Sequence, residues 1–263
     1  MASTQAAGAQ ETHRIRRVCG HVCPSPVAAS ADPDLSVDPH PHGIPGKMVL
    51  YGAPTSRVQK VMWIAAECGL PFEQVKSPPG TLSLHEWYLG LNPKKTVPTA
   101  RFGDLVINES NSITAFIAQR YGNSELYPSP PEKLALAWQW AEWGETTLAV
   151  AMTKIYFAIV RKVYHPSWQA KKGTPSLEEV LPFVPACVYA WSTLDKHLKD
   201  KKFMLGDTFS FADVTSGIQA NRLITHSGMG IPELAPANFP AVSAWYARLC
   251  ARKAYADNVV PFK

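Results

Sequence analysis

Between residues 48 and 91 the apolar residues fall into short runs separated by turn-forming residues. Four consecutive apolar side chains at Met48–Tyr51 predict a buried strand. Residues 58–68 carry apolar side chains at helical spacing and are followed by a glycine, which predicts a helix. A second strand is expected over 72–76, and a short helix or irregular segment over 84–91.

A hairpin and a longer helix complete this half of the chain. Residues 99–108 read as two short strands around the turn-forming pair Gly103-Asp104. Ser110–Tyr121 has apolar side chains at helical spacing. The order β-α-β-α-β-β-α, completed within about 75 residues, predicts a small sheet with helices packed on it.

The second half of the chain predicts helices only. A polar, proline-rich stretch at 122–131 marks the boundary between two domains. We therefore expect an α/β plus all-α protein, with an α/β domain at 48–122 and an all-helical domain at 132–263. The helices of the second domain are expected over 131–163, 177–199 (irregular at its two prolines), 212–226 and 240–253.

The first 47 residues differ in composition from all that follows. They contain six prolines and no Phe, Trp or Tyr, so they cannot offset the entropy cost of ordering by burying a core. We therefore predict a disordered extension over 1–47. Three arginines and a single acid among its first thirty residues loosely resemble an organelle transit peptide, so organelle targeting is the alternative.

Charge and composition narrow the range of functions. The net charge is +5, but only 18% of the residues are charged and no long basic block occurs, so nucleic-acid binding is not indicated. No run approaches the roughly 18 apolar residues that a membrane span needs. Five scattered cysteines are typical of a reducing compartment, and we expect a cytoplasmic protein.

Two motifs flank the predicted hairpin and could contact one ligand. Val97-Pro98 precedes its first strand, and Glu109-Ser110 follows its second strand at the start of a helix. A proline at this position is either an ordinary edge-strand proline or the site of a cis peptide. An acid and a hydroxyl at a helix start form a cap, but a free helix N-terminus with a serine also binds anions. A small anionic ligand is therefore expected here.

A third motif lies in the turn between the first strand and the first helix. Thr55 and Ser56 place two hydroxyl groups there. A hydroxyl hydrogen bond and a helix N-terminus together stabilise a thiolate, which is the nucleophilic form of a thiol. The alternative is that Thr55 only caps the helix.

These motifs resemble the glutathione transferase family, over Met48 to about Lys253. The resemblance implies an N-terminal thioredoxin-like domain followed by an all-helical C-terminal domain, with glutathione as co-substrate and no metal. Val97 would contact the cysteinyl part of glutathione through its backbone, with Pro98 in the cis form. Ser110 and the helix start would hold the α-carboxylate of the γ-glutamyl end, and Glu109 would either bind its α-ammonium group or position the turn.

The resemblance also assigns the residues near the thiol. Thr55 or Ser56 would contact the sulfur as a hydrogen-bond donor. Because neither position is a cysteine, the glutaredoxin-like thiol exchange of cysteine-containing members is not expected. Arg57 is a further candidate for ligand contact. Lys95, next to Lys94, either reaches the glycyl carboxylate or is merely solvated.

The helical half carries one more motif of the family and a group of aromatic residues. In the stretch 206–213, Ser210 and Asp213 have the spacing of a capping box, for which we expect a structural role only. An aromatic stripe at helical spacing is more often core, and one or two of its members are expected to line a hydrophobic pocket. The candidates are Trp138, Trp140, Trp143, Met152 and Tyr156.

The leading hypothesis is an enzyme that conjugates the glutathione thiolate to a small hydrophobic electrophile, as in detoxification. Peroxide or disulfide reduction with glutathione is a related activity of the same site. The competing hypothesis is a non-catalytic module that keeps the fold for binding or assembly. The resemblance also implies a homodimer, and we expect neither a nucleic-acid nor a membrane partner.

Overall fold

The computed structural model describes residues 35–54, 57–78, 80–162 and 173–259. These residues form two compact units. The first unit contains the described residues up to 129 together with 253–259. The second contains 130–162 and 173–252. Among the described residues, no helix combines the length and the apolarity that crossing a membrane requires.

The first unit is built on a four-stranded mixed sheet. Its strands, β1 to β4 in chain order, are Met48–Tyr51, Phe72–Val75, Thr99–Phe102 and Leu105–Asn108. Their order across the sheet is β2-β1-β3-β4, with β2 parallel to β1 and the other pairs antiparallel. The predicted hairpin is present, with its turn at Gly103-Asp104.

Three helices accompany these strands: α1 (Val58–Glu67), α2 (Glu86–Leu91) and α3 (Ser110–Tyr121). Helices α1 and α3 pack against each other and bury their apolar sides. Successive side chains of a strand point to opposite faces of the sheet. Since all four residues of β1 are fully buried, both faces of the sheet are covered at its centre.

The second unit consists of helices and short turns within its described ranges. Helices α4 to α9 are Pro131–Trp143, Ala149–Ile159, Leu177–Val180, Val184–Leu198, Phe211–Thr225 and Pro240–Cys250. A π-helical segment, Gly144–Leu148, joins α4 to α5, so the long helix expected over 131–163 is present to residue 159. The expected irregularity after residue 180 is a 3-10 turn at Leu181–Phe183, because proline has no N–H for the helical ladder. The fold class is confirmed.

Helix α8 forms the buried centre of the second unit and begins at the expected capping box. Asp213 is fully buried, and its carboxylate accepts hydrogen bonds from the backbone N–H groups of Met204 (2.8 Å) and Ser210 (2.9 Å). It also accepts one from the Trp245 Nε1–H (2.9 Å). Burial outweighs these bonds and raises the pKa of Asp213 to about 6. The motif therefore holds the core together, as expected from sequence.

A last helix, α10 (Lys253–Asn258), returns to the first unit and packs on α1. The rings of Tyr255 and Trp63 meet edge to face, with centroids 4.8 Å apart. The all-helical domain was predicted to extend to residue 263, but the described residues after 252 belong with the sheet. Nothing in the periodicity of α10 distinguishes it from the preceding helices, so its partner was not predictable.

Residues 35–47, called the N-terminal segment from here on, also belong to the first unit. Leu35 is 6% exposed, and the segment packs on the face of the sheet that carries α2. The predicted disordered extension therefore ends too late, because Leu35 and Asp38 bind side chains of the sheet that composition alone does not reveal. Residues 1–34 of the predicted extension lie outside the described residues.

Candidate glutathione site

The register of the strands brings the predicted motifs to one end of the sheet. Thr99 pairs with both Tyr51 and Asn108, so the end of β1, the start of β3 and the end of β4 lie side by side. Val97-Pro98 directly precedes Thr99, and Glu109-Ser110 directly follows Asn108. The two motifs that flank the hairpin are thus neighbours because of strand pairing.

The Val97–Pro98 peptide is cis, as the resemblance implies. Pro98 is buried, while Val97, just before β3, is 37% exposed. Gly52, at the end of β1, lies against this loop with a φ of 133°. A Cβ at Gly52 would lie 2.8 Å from Val58 Cγ2 and 3.0 Å from Val97 Cβ. Only glycine therefore fits both the conformation and the space.

A buried polar network holds this loop in place. Tyr88 Oη and Asn92 Nδ2 both donate to the carbonyl oxygen of Thr96, over 2.7 and 2.8 Å. The same two groups contact Thr99 Oγ1, at 2.8 and 3.1 Å. Burial raises the pKa of the Tyr88 hydroxyl, which therefore stays protonated and able to donate. Sequence reasoning missed this network, and its one signal was the Asn-Pro pair that ends α2.

Glu109 and Ser110 form the entry to α3. Glu109 has a φ of 75°, which is unusual for a residue with a side chain and recurs at ligand sites. Its carboxylate lies 3.0 Å from Lys94 Nζ, and both side chains are more than half exposed. Such an exposed ion pair contributes about 0–1 kcal/mol, so a ligand can exchange with it at little cost. Ser110 is 5% exposed, at the positive end of the helix dipole.

A buried lysine links α1 to the same helix start. Lys60 is fully buried, and its Nζ donates to Asn111 Oδ1 over 3.2 Å. The neighbouring Gln59 donates from Nε2 to the carbonyl oxygen of Pro54 over 2.6 Å and fixes the turn that precedes α1. Sequence reasoning did not single out Lys60 and Asn111 as site residues. A lysine in an otherwise apolar helical stretch was the available signal.

The remaining predicted site residues are less closely connected to the loop that contains Val97. Arg57 directly precedes α1, and its side chain is exposed. Lys95 is exposed, in the loop before Val97, with a φ of 60°. Thr55 and Ser56 lie outside the described residues, so their contact with a thiol stays a prediction.

The end of the sheet that carries Val97 and the start of α3 can hold a small peptide with anionic ends. The backbone at Val97 offers strand-like hydrogen bonds, the start of α3 offers N–H groups to a carboxylate, and Lys94 and Lys95 supply positive charge. Within the described ranges, no group of three or more His, Cys, Asp or Glu side chains is placed to hold a metal ion. Burial, with Glu67 nearby, raises the pKa of the Cys68 thiol to about 11, so this thiol is not activated.

Two family models match the chain in succession. Residues 56–120 match the N-terminal domain of glutathione S-transferases, and residues 151–253 match the C-terminal domain. The chain belongs to the glutathione transferase family of enzymes. The order of the two matches agrees with the order of the two units in the fold.

Individual relatives and a solved structure extend this membership over most of the chain. Glutathione S-transferase GstB of Escherichia coli K12 is 28% identical over 211 residues, which are 79% of this chain and 95% of the bacterial protein. A glutathione S-transferase of Hyoscyamus muticus is 30% identical over 66% of this chain and 78% of its own length. The theta class glutathione S-transferase of Xanthomonas axonopodis pv. citri, solved with glutathione bound, superposes with a TM-score of 0.69 at 26% identity and covers 82% of this chain and 98% of that protein.

The aromatic residues of the helical unit are largely packed within it. The rings of Trp138 and Phe211 meet at 5.2 Å between centroids. Trp140 contacts both Trp143 and His197, at 5.3 and 3.8 Å between centroids. Met152 and Tyr156, the other predicted pocket residues, are buried in the same unit. Assignment of any of them to an electrophile pocket stays a prediction.

Proposed function

We propose that this protein conjugates the thiolate of glutathione to small electrophilic substrates, in the manner of a detoxification enzyme. The observation that carries the proposal is the pairing of Thr99 with Asn108, which places Val97 and the start of α3 side by side. Membership of the transferase family and the glutathione bound in the Xanthomonas relative support it.

In the proposed complex each part of glutathione meets a group of matching chemistry. The backbone N–H and C=O of Val97 pair with the cysteinyl residue. The α-carboxylate of the γ-glutamyl end binds Ser110 and the N–H groups that open α3. Glu109 binds the α-ammonium group in exchange for its ion pair with Lys94. Lys95 is proposed to contact the glycyl carboxylate.

The proposed chemistry depends on a hydroxyl of Thr55 or Ser56. A hydrogen bond donated to the sulfur lowers the pKa of the glutathione thiol, so that its proton is lost to solvent near neutral pH. The thiolate then forms a bond to the electrophilic carbon, and the leaving group departs with its electron pair. Binding both reactants at one site supplies the remaining rate enhancement.

Turnover of a chlorodinitrobenzene by the wild type, Thr55→Ala and Ser56→Ala tests the proposal. We expect wild-type turnover that depends on glutathione, and a fall in one of the two variants together with a higher pKa of the bound thiol, read from thiolate absorbance. Thr193→Ala, which removes an exposed hydroxyl in the helical unit, is the control and should match the wild type. Unchanged rates in both turn variants would contradict thiol activation by these hydroxyls.

Turnover of other substrates and binding to immobilised glutathione separate the competing functions. Turnover of a peroxide or a mixed disulfide at the expense of glutathione would add reductase activity to the proposal. Retention on immobilised glutathione without turnover of any substrate would favour the non-catalytic binding module. Failure to bind glutathione at all would contradict both.

A cytoplasmic homodimer completes the proposed function. It is supported by the family resemblance and by the scattered cysteines of the sequence, which are typical of a reducing compartment. Light scattering behind size exclusion should give a mass of about two chains. A mass equal to one chain over a wide concentration range would contradict the dimer.

A further inference from the structure

We propose that the N-terminal segment, residues 35–47, is a positioning element that holds the glutathione-binding loop in its active conformation. The inference rests on the proposed function, because it concerns the same site. The segment lies before the part of the chain that matches the family's N-terminal domain, which begins at residue 56.

A buried ion pair anchors the segment to the sheet. Asp38 Oδ2 lies 3.3 Å from Arg101 Nη2 on β3, and the two side chains are 11% and 8% exposed. The hydroxyl of Tyr51 on β1 donates to Asp38 Oδ1 over 3.0 Å. Burial and the neighbouring Asp38 raise the pKa of this hydroxyl, so it remains a donor. Arg101 Nη1 also donates to the carbonyl oxygen of Pro41.

A second anchor joins the segment directly to α2. The indole Nε1–H of Trp87 donates to the carbonyl oxygen of Leu35 over 2.8 Å. The side chain of Leu35 is buried in the cluster that covers this face of the sheet. The other members of that cluster are Val49, Tyr51, Val75, Leu82 and Tyr88, with Ile44, Trp87 and Leu91 packed against it.

Helix α2 depends on such cover because it is short. It contains six residues, far fewer than the roughly 12 that an isolated helix needs to be even marginally stable in water. Its position is therefore set by packing. The aromatic rings of Trp87 and Tyr88 lie 5.9 and 6.1 Å from the Tyr51 ring on β1.

The contacts continue from α2 to the ligand site. Trp87, held by Leu35, is adjacent to Tyr88, whose hydroxyl holds the carbonyl oxygen of Thr96. Thr96 is the residue before Val97, whose backbone is proposed to pair with glutathione. A displacement of the segment would therefore loosen α2 and, through Tyr88, the loop that binds the ligand.

Three variants of the full-length protein test this chain of contacts. Trp87→Phe removes the indole N–H but keeps an aromatic ring in the cluster. Leu35→Ala removes packing, and Asp38→Asn removes the charge that neutralises Arg101. Val37→Ala is the matched control, because the Val37 side chain is 66% exposed and belongs to the same segment.

We expect the dissociation constant and the KM of glutathione to rise at least fivefold in Trp87→Phe and Leu35→Ala. The kcat at saturating glutathione and the KM of the electrophile should stay within twofold of the wild type. Hydrogen exchange of 82–97 should accelerate, while that of α7 in the helical unit should not change. Val37→Ala should match the wild type in every measurement.

The outcomes separate this inference from the proposed function. Unchanged glutathione affinity in folded Trp87→Phe and Leu35→Ala would overturn the inference, even if exchange of 82–97 accelerated, because the segment would then only stabilise the fold. If Asp38→Asn does not fold, the other two variants decide the outcome. A wild type that does not bind glutathione would refute the proposed function, and protected exchange of 82–97 in all variants would refute the inference separately.

Discussion

The position of Val97 is set by residues that are not proposed to touch glutathione. Tyr88 and Asn92 donate to the carbonyl oxygen of Thr96 and fix the loop from inside the domain. Both side chains are fully buried, so each bond replaces one that water made in the unfolded chain. The exposed groups of the site, Lys94 and Glu109, contribute little to its rigidity in comparison.

Asn92→Ala should therefore weaken glutathione binding. The variant loses the bond to Thr96 and the contact with Thr99, and at about 1 kcal/mol for a bond we expect the KM of glutathione to rise roughly fivefold or more. The kcat at saturating glutathione should change less. Steady-state kinetics check this, with Asn238→Ala as control, because its exposed amide makes similar backbone bonds in the helical unit. An unchanged KM would refute the role of the network.

The carboxyl of Asp213 should make stability depend on pH. Its pKa is raised from 3.8 to about 6 in the folded state, so the folded protein binds this proton more tightly than the unfolded chain. The resulting stabilisation is present below about pH 4 and is lost as the pH rises through about 6. Urea unfolding at several pH values should show this loss in the wild type.

Asp213→Asn is the matched comparison. The variant should lose that part of the pH dependence, because it has no proton to release. It should also be less stable at pH 7 by about 1–3 kcal/mol, since an amide nitrogen would face the N–H donors that bind the carboxylate. Equal pH dependence in both proteins would contradict the raised pKa.

Sequence reasoning proposed some residues of the candidate site and missed others for a clear reason. Val97, Pro98 and Ser110 could be proposed from sequence because each stands at or next to the end of an element, where local spacing is informative. Tyr88 and Lys60 were not assigned to the site, because their bonds depend on which elements pack together. Sequence spacing contains no information about that packing.

Among the elements, the junction of α4 and α5 shows how a single glycine permits close helix packing. Gly144 opens the π-helical segment, and a Cβ at this position would lie 2.6 Å from Ser216 Oγ on α8. Ser216 Oγ is buried and has no hydrogen-bond partner among the described residues. Glycine thus allows α8 to pack closely on the junction.

Gly144→Ala should destabilise the protein by about 1–3 kcal/mol, because the added methyl group overlaps Ser216. The double variant Gly144→Ala/Ser216→Ala should recover most of this loss, since the next atom, Ser216 Cβ, is 3.6 Å away. Ser216→Ala alone should be neutral or slightly stabilising, as its hydroxyl is buried without a partner in the described part of the chain. Chemical unfolding of the four proteins measures the coupling, and additive effects would contradict the overlap.

The elements themselves were largely predictable. The strand Met48–Tyr51 and the helix Ser110–Tyr121 match their predicted limits, because apolar spacing and flanking turn residues are both clear there. The region expected over 84–91 contains the six-residue α2, preceded by a 3-10 turn at Leu82–Leu84, and no periodicity there is long enough to read. Residues 35–47 were missed because they bind as an irregular segment.

For the molecule as a whole, the chain leaves the first unit and returns to it. Helix α10 follows the helical unit in the chain and packs on α1, so the chain connects the two units at two points. Tyr255 is 4% exposed and meets the fully buried Trp63. The first unit therefore needs the C-terminal end of the chain for its own core.

Tyr255→Ala should accordingly destabilise the first unit by about 3–5 kcal/mol, the usual cost of removing a buried aromatic ring. Hydrogen exchange should accelerate in α1, whereas the centre of α8 should keep its protection. Tyr189→Ala, at a side chain that is 72% exposed in the helical unit, is the control and should leave both regions unchanged. Equal acceleration in both units would contradict the assignment of α10 to the first unit.

Calorimetric titration of the full-length protein with glutathione tests the central claim most directly. We expect saturable binding at one site per chain, with affinity reduced roughly 10-fold or more in Ser110→Ala, because a hydrogen bond to a charged group contributes about 1.5–3 kcal/mol. Thr193→Ala should bind as the wild type does. No saturable binding by the wild type, or equal affinity in Ser110→Ala, would contradict a glutathione site at the start of α3.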